Sequence, residues 1–307
     1  MPTWIFDGRE DRLEPGIKMR VFFFGLGYSS QASAHLLGLG APHVSRLGTV
    51  RGTDKAIALT RSGIETLVFD GTQPGPGVGH ALKQSSHVVI SIAPDEAGDV
   101  VLRHHRGDLD AMPELQWLCY YSTVGVYGDF DGAWIDESAP LVPRNLRSDF
   151  RVRAEDEWRD YAKARGVPLT ILRLAGIYGP GRSSFDKLAD GTARRVIKPG
   201  QVFNRIHVED IARVTKLAAE QRLDGVFNLA DDEPAPPQDL IVYAAEKTGV
   251  EPPAEIPFER AEMSPMARSF YRDNKRVSNR AIKDALGIEL LYPNYRAGLD
   301  GIWERRG

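Results

Sequence analysis

The chain has 307 residues, of which 42% are hydrophobic and 26% charged, with a formal net charge of −3. That is the composition of a globular protein large enough for one α/β domain with a smaller satellite, and its charge argues against a nucleic-acid or anionic-membrane partner. Cys119 is the only cysteine, so an internal disulfide is excluded and a reducing, cytoplasmic location fits.

Residues 1–17 are mixed and acidic. They lack the basic start and apolar stretch of a signal peptide, and no apolar run approaches the ~20 residues of a membrane helix. They read as an N-terminal extension: an added strand, a tail, or a product of start-site choice. From Met19 to Gly25 a strand is predicted, with Val21, Phe22, Phe23 and Phe24 in an unbroken apolar run, as in a parallel strand covered on both faces. A helix over 31–39, a strand over 43–51, a short helix over 57–62 and a strand over 64–69 follow. Further strands are expected over 87–92 and 115–122, the latter with Cys119 as a buried core thiol. A polar helix over 147–165 carries Phe150, Trp158 and Tyr161 as packing candidates, and a strand over 169–174 closes the series.

Alternating strand and helix signals predict a Rossmann-type α/β fold with a doubly wound parallel sheet over 18–175. Residues 176–307 are expected to form mainly a substrate-binding subdomain, with part of the segment returning to the large domain. The proline-rich stretches 234–237 and 252–257 read as loops.

Gly25-Leu26-Gly27-Tyr28-Ser29-Ser30 lies between a strand and a helix. Its spacing is one substitution from the dinucleotide-binding G-x-G-x-x-G. Gly25 permits the turn, Gly27 lets the backbone approach a pyrophosphate, and Ser30 stands where a small residue is needed for helix–strand contact. The helix N-terminus supplies unpaired N–H groups. An acidic residue at the end of the second strand would favour NAD; Arg51 stands there instead and would attract the 2′-phosphate of NADP, with Lys55 as a second cation. NADP is therefore the expected cofactor and NAD the alternative. No metal site is expected.

Four later segments resemble the extended short-chain dehydrogenase/reductases, the group that includes nucleotide-sugar epimerases and dehydratases. They are Ser122-Thr123-Val124-Gly125-Val126-Tyr127-Gly128, Leu172 to Gly181 (LRLAGIYGPG), Arg205 to Ala212 (RIHVEDIA), and Phe227-Asn228-Leu229-Ala230. The resemblance covers residues 18–230 and, more loosely, the C-terminus. It implies that Thr123 is the active-site hydroxyl, that Asp70 meets the adenine amino group, and that Ser91, Ala93 and Pro94 lie over the cofactor ribose. It also implies that Gly176, Ile177 and Tyr178 pass the nicotinamide, and that His207 and Asp210 brace the subdomain junction.

The family's Y-x-x-x-K pair is replaced. Glu155 matches a glutamate that commonly follows the lysine by four residues, which puts Arg151 in the lysine position and Arg147 in the tyrosine position. Arg151 keeps a charge for the ribose; Arg147 cannot shuttle a proton, because its pKa lies above ~12. Tyr127, Tyr178 and His207 are the substitute donors to consider. Two functions remain open: an NADP(H)-dependent reductase or sugar-nucleotide epimerase/dehydratase-like enzyme acting on a small molecule, as a monomer or homodimer, and a non-catalytic dinucleotide sensor. Residues 274–279 and 292–296 combine cations with aromatics, suited either to an anionic, ring-bearing substrate or to ordinary surface.

Overall fold

The computed structural model describes residues 19–306 apart from Gly40 and Pro42, so the expected extension over 1–17 lies outside the described residues. The first half runs β1 (Met19–Phe24), α1 (Tyr28–Gly38), β2 (Val44–Val50), α2 (Thr53–Arg61), β3 (Glu65–Val68), α3 (Val78–Lys83), β4 (His87–Ile90), α4 (Val100–Asp110), β5 (Trp117–Thr123), β6 (Trp134–Ile135), α5 (Leu146–Arg165) and β7 (Leu169–Leu174). The second half runs β8 (Gly176–Tyr178), α6 (Ser184–Ala189), β9 (Arg195–Ile197), β10 (Arg205–His207), α7 (Val208–Gln221), β11 (Gly225–Leu229), α8 (Asp239–Thr248), β12 (Glu255–Pro257), α9 (Pro265–Phe270), β13 (Arg276–Val277), α10 (Arg280–Leu286) and α11 (Tyr295–Glu304).

Seven parallel strands form the central sheet in the order β11-β7-β5-β4-β1-β2-β3. This is the Rossmann-type α/β fold that the alternating sequence pattern predicts. The apolar run of β1 is explained by its two faces. Val21 and Phe23 enter one core with residues of α1, α2, α7 and α10, whereas Phe22 and Phe24 enter the other with residues of α3, α4 and α5. Successive side chains point to opposite faces, so a strand covered twice needs apolar residues at every position.

Helix α5 starts at its Asn145 cap, whose side chain accepts from the Ser148 N–H at 3.0 Å, and ends at Gly166 with φ +66°. It buries Ala154, Trp158, Tyr161 and Ala162, the i, i+4, i+7, i+8 stripe that sets its core face. Phe150 is only half-buried and carries the Arg153 guanidinium 4.8 Å from its ring centre. Helices α1 and α2 each begin at a glycine, Gly27 and Gly52, a few residues ahead of the apolar positions that mark them in sequence.

Outside the central sheet the chain makes short two-stranded pairings, β8 with β10, β9 with β12 and β6 with β13. The proline-rich 252–257 segment is thus not all loop: Glu255–Pro257 pairs with Arg195–Ile197. Residues of β8, α6, α8 and α11 share a separate small core around Phe185, Leu240, Ala244 and Leu299. Among the described residues no helix is long and apolar enough to cross a membrane.

Candidate dinucleotide and substrate cleft

A cleft of about 260 Å³ opens between the N-terminus of α1 and the C-terminal ends of the central strands. Gly27, Tyr28, Ser29 and Ser30 form one part of its lining, Ser91 and Tyr121 to Thr123 another. Arg151, Leu174, Ala175, Ile177 and Arg182 complete it. Ligands of open α/β sheets bind in such a crevice, outside the carboxyl ends of the strands.

The glycine-rich turn is built as the dinucleotide motif requires. Gly25 has φ +93°, and an added Cβ would lie 2.8 Å from the Ser91 hydroxyl. Its N–H donates to Thr49 Oγ1 at 3.0 Å. Ser30, in the place of the third glycine, donates to Ser91 Oγ at 2.9 Å, and Ser91 donates to the Gly25 carbonyl at 2.6 Å. The substitution thus adds a hydroxyl relay that pins the turn to the end of β4. A Cβ on Gly27 would meet nothing within 4 Å, so the backbone there faces open space. No side chain caps α1, and its first i→i−4 bond is from Gln31 to the Gly27 carbonyl. The amides of Ser29 and Ser30 are left without helical partners, beside the positive end of the helix dipole. A bare glycine surface next to unpaired amides fits a pyrophosphate.

Arg51 and Asp70 end β2 and β3, outside the 260 Å³ cleft. Arg51 is exposed. The Asp70 carboxylate accepts from the Thr72 N–H and hydroxyl at 2.9 and 2.7 Å, which holds its pKa below the usual carboxylate value. Ala93 is exposed and Pro94 half-buried in the loop after β4. Gly176 and Ile177 lie on β8, with Ile177 on the cleft wall.

Thr123 ends β5 half-buried, and its Oγ1 accepts from the Gly125 N–H at 3.1 Å. That bond occupies an acceptor site and leaves the hydroxyl proton available. Arg151 donates from one nitrogen to the Tyr120 hydroxyl at 2.9 Å and the Tyr121 carbonyl at 2.7 Å. Arg147, one turn earlier, is exposed and does not line the cleft. Below the cleft floor the Ser122 hydroxyl donates to Glu155 at 2.5 Å, and Glu155 holds Arg173.

The three substitute donors named from sequence are not brought to the cleft. Tyr127 is fully buried; its hydroxyl donates to Asn228 Oδ1 at 2.7 Å and accepts from Arg173 at 2.8 Å. Tyr178 is buried over Gly298, where an added Cβ would overlap its ring. His207 lies between the rings of Tyr178 and Tyr292, and burial pushes its pKa down to about 3. Asp210 accepts from the Leu291 and Tyr292 N–H groups at 2.7 and 3.1 Å. The C-terminal cations are also engaged: Lys275 donates to the Gly128 carbonyl and Arg296 to Glu233, so these groups tie chain segments together. Arg182 has no counterpart among the residues singled out from sequence. The only signal for it is the Pro180-Gly181 turn that carries it to the cleft.

A conserved protein of unknown function from Silicibacter pomeroyi DSS is 45% identical and superposes with a TM-score of 0.84, covering 94% of this chain and 99% of that one. The NAD dependent epimerase/dehydratase family profile matches residues 109–230. Over those residues the chain is similar to the NAD-dependent epimerase/dehydratase family. Protein YeeZ of Escherichia coli K12 is 30% identical over 182 residues, which are 58% of this chain and span 59% of YeeZ. The dTDP-glucose 4,6-dehydratase of Bacillus anthracis, solved with NAD, shares the epimerase/dehydratase fold at 15% identity, with a TM-score of 0.74 over 94% of this chain and 97% of that one. Within the family match lie β5 with Thr123, all of α5 and β7 with its Arg173, the elements that form the cleft floor.

Proposed function

We propose that this chain is an epimerase/dehydratase-like protein that binds NADP(H) in the cleft and acts on a small anionic molecule, of which a nucleotide-sugar is one form, without a tyrosine–lysine acid/base pair. The observation that carries the reading is the convergence in one cleft of bare Gly27, the Ser29 and Ser30 amides at the start of α1, Thr123 and Arg151. The amides would hold the pyrophosphate, and Arg51, exposed at the end of β2, would take the 2′-phosphate. A bound nicotinamide supplies hydride acceptance and return. Thr123 would donate its hydroxyl proton to a substrate oxygen. Arg151, held by Tyr120 and Tyr121, would present positive charge to the ribose where the family has lysine. Isothermal titration with NADPH and NADH tests the site: micromolar or tighter NADPH binding with weaker NADH binding is expected, and no binding of either would overturn the reading.

One observation favours a second reading, a dinucleotide-responsive protein with little turnover. The two phenols that line the cleft are both engaged. Tyr121 is buried, its hydroxyl lies 2.9 Å from Ser33 Oγ and 2.7 Å from Thr215 Oγ1, and burial pushes its pKa up. Tyr28 donates to the Pro180 carbonyl at 2.9 Å. Neither is placed as a proton shuttle working near neutrality. Single-turnover oxidation of prebound NADPH by panels of aldehydes and ketones, and transient reduction of prebound NADP+ by sugar nucleotides, separate the readings, since only the enzyme changes the redox state of the cofactor.

A further inference from the structure

Two arginines line the cleft, Arg151 and Arg182, and their surroundings differ. Arg151 is anchored at the β5 end by Tyr120 and the Tyr121 carbonyl. Arg182 is exposed, and among the described residues its guanidinium has no hydrogen bond or ion pair; it stands 5.7 Å from the ring centre of Tyr28, the first residue of α1.

The backbone fixes Arg182 there. Gly179 and Arg182 exchange two hydrogen bonds, at 3.3 and 2.9 Å, across Pro180 and Gly181, and Gly181 has φ +72°. A proline followed by a left-handed glycine is the order that a type II turn needs. The Tyr28 hydroxyl donates to the Pro180 carbonyl at 2.9 Å, and a Cβ on Gly179 would lie 2.7 Å from that hydroxyl. The turn is therefore fastened to the start of the helix whose amides face the cleft, and it can be brought this close only with glycine at 179.

Charge decides what the guanidinium is for. A bound pyrophosphate brings two negative charges. A helix N-terminus offers the equivalent of roughly half a positive charge, so the amides alone leave most of the anion uncompensated. Arg151 is committed near Thr123. Arg182 can offer a planar fork matched to phosphate oxygens.

We propose that Arg182 is a cofactor-binding residue: with the α1 amides it clamps the dinucleotide pyrophosphate, joining the glycine-rich turn to the Gly179–Arg182 turn. The proposal rests on the reading of the cleft as a dinucleotide site. An anionic group of the substrate is the other possible user of the same cation, and the test separates the two because no substrate is present.

The experiment titrates wild type, Arg182→Met and Arg182→Lys with NADPH and, in competition, with adenosine 2′-monophosphate, which has the 2′-phosphate but no pyrophosphate. Arg182→Met should weaken NADPH roughly tenfold and flatten the salt dependence of its binding, Arg182→Lys should fall between, and adenosine 2′-monophosphate should bind all three alike. Unchanged NADPH affinity in Arg182→Met would overturn the clamp and assign the cation to substrate. Equal losses for both probes would also overturn it, because the effect would then come from the shape of the loop. A wild type that binds neither probe would remove the dinucleotide reading itself, an outcome distinct from wild-type binding that ignores Arg182.

Discussion

Glu155 and Arg173 meet in a two-pronged ion pair beneath the cleft floor, with Nε to Oε1 at 3.1 Å and Nη2 to Oε2 at 2.7 Å. Side-chain exposures are 0% for Glu155 and 4% for Arg173. Burial alone would lower the arginine's pKa; the Glu155 carboxylate outweighs it and keeps the charge. Arg173→Met would leave a buried carboxylate with only Arg159 and the Ser122 hydroxyl for partners. A loss of about 3–5 kcal/mol is expected in urea denaturation. Glu155→Gln combined with Arg173→Met should recover part of it, since no unpaired charge then remains. A loss below ~1 kcal/mol for the single variant would contradict this account.

Two glycines of the same turn should respond oppositely. Gly25→Ala forces a side chain into φ +93° and against the Ser91 hydroxyl, so it should lower the melting temperature. A Cβ at Gly27 meets no protein atom within 4 Å, so Gly27→Val should melt close to wild type while losing dinucleotide binding, because its methyls fill the space a pyrophosphate needs. Thermal melts and NADPH titration on both variants make the comparison.

Arg51→Ala should remove most of the preference for NADPH over NADH. A charge-assisted contact to phosphate contributes roughly 1.5–3 kcal/mol, about ten- to a hundredfold. Calorimetry giving equal wild-type affinities for the two cofactors would leave Arg51 without this role.

Hydride transfer by the wild type should be slow and lack the pH dependence of a phenol titrating near neutrality. A positioned acid/base contributes ~10²–10⁴-fold, and Arg147 cannot supply it. Arg147→Tyr with Arg151→Lys should raise any detectable reductase rate, measured by NADPH absorbance against a substrate panel. Wild-type turnover at ordinary enzyme rates would show that another group donates the proton.

Asp231 gives a pH signature. It is 1% exposed, neither carboxylate oxygen is in a well-formed hydrogen bond, and burial pushes its pKa up to about 8. The folded protein then holds a proton that the unfolded chain has released above its ordinary value of 3.8. Stability is therefore present at low pH and is lost as pH rises through about 8, by at most roughly 1.4 kcal/mol per pH unit. Asp231→Asn should flatten that decline in denaturation curves taken from pH 5 to 9. An unchanged slope would mean that the carboxyl is ionised in the fold.

The central strands were legible because they are covered on both faces and so carry unbroken apolar runs, as Val21 to Phe24 and Leu118 to Tyr121 do; β11 at the sheet edge was not singled out as a strand. Helix α4 was not legible. His105 occupies one of its core positions, bonded to the Gly75 N–H at 3.1 Å and Asp108 at 2.8 Å, and a polar residue there breaks the apolar period. The glycine turn could be read from spacing because its residues are contiguous. Arg182 could not, because its place depends on a turn held by Tyr28, far away in the chain. The exposure of Arg147 and the burial of Tyr127 follow from packing that no local pattern encodes.

Strand β11 pairs with β7 along its whole length, from Gly225 beside Thr170 to Leu229 beside Leu174, but the entire segment 175–224 is made between them. During synthesis, β7 therefore emerges from the ribosome with an open, apolar edge that stays unpaired until residues 225–229 follow. Such an edge is a template for another chain. A gene broken anywhere within 175–224 should yield aggregates instead of a smaller folded unit.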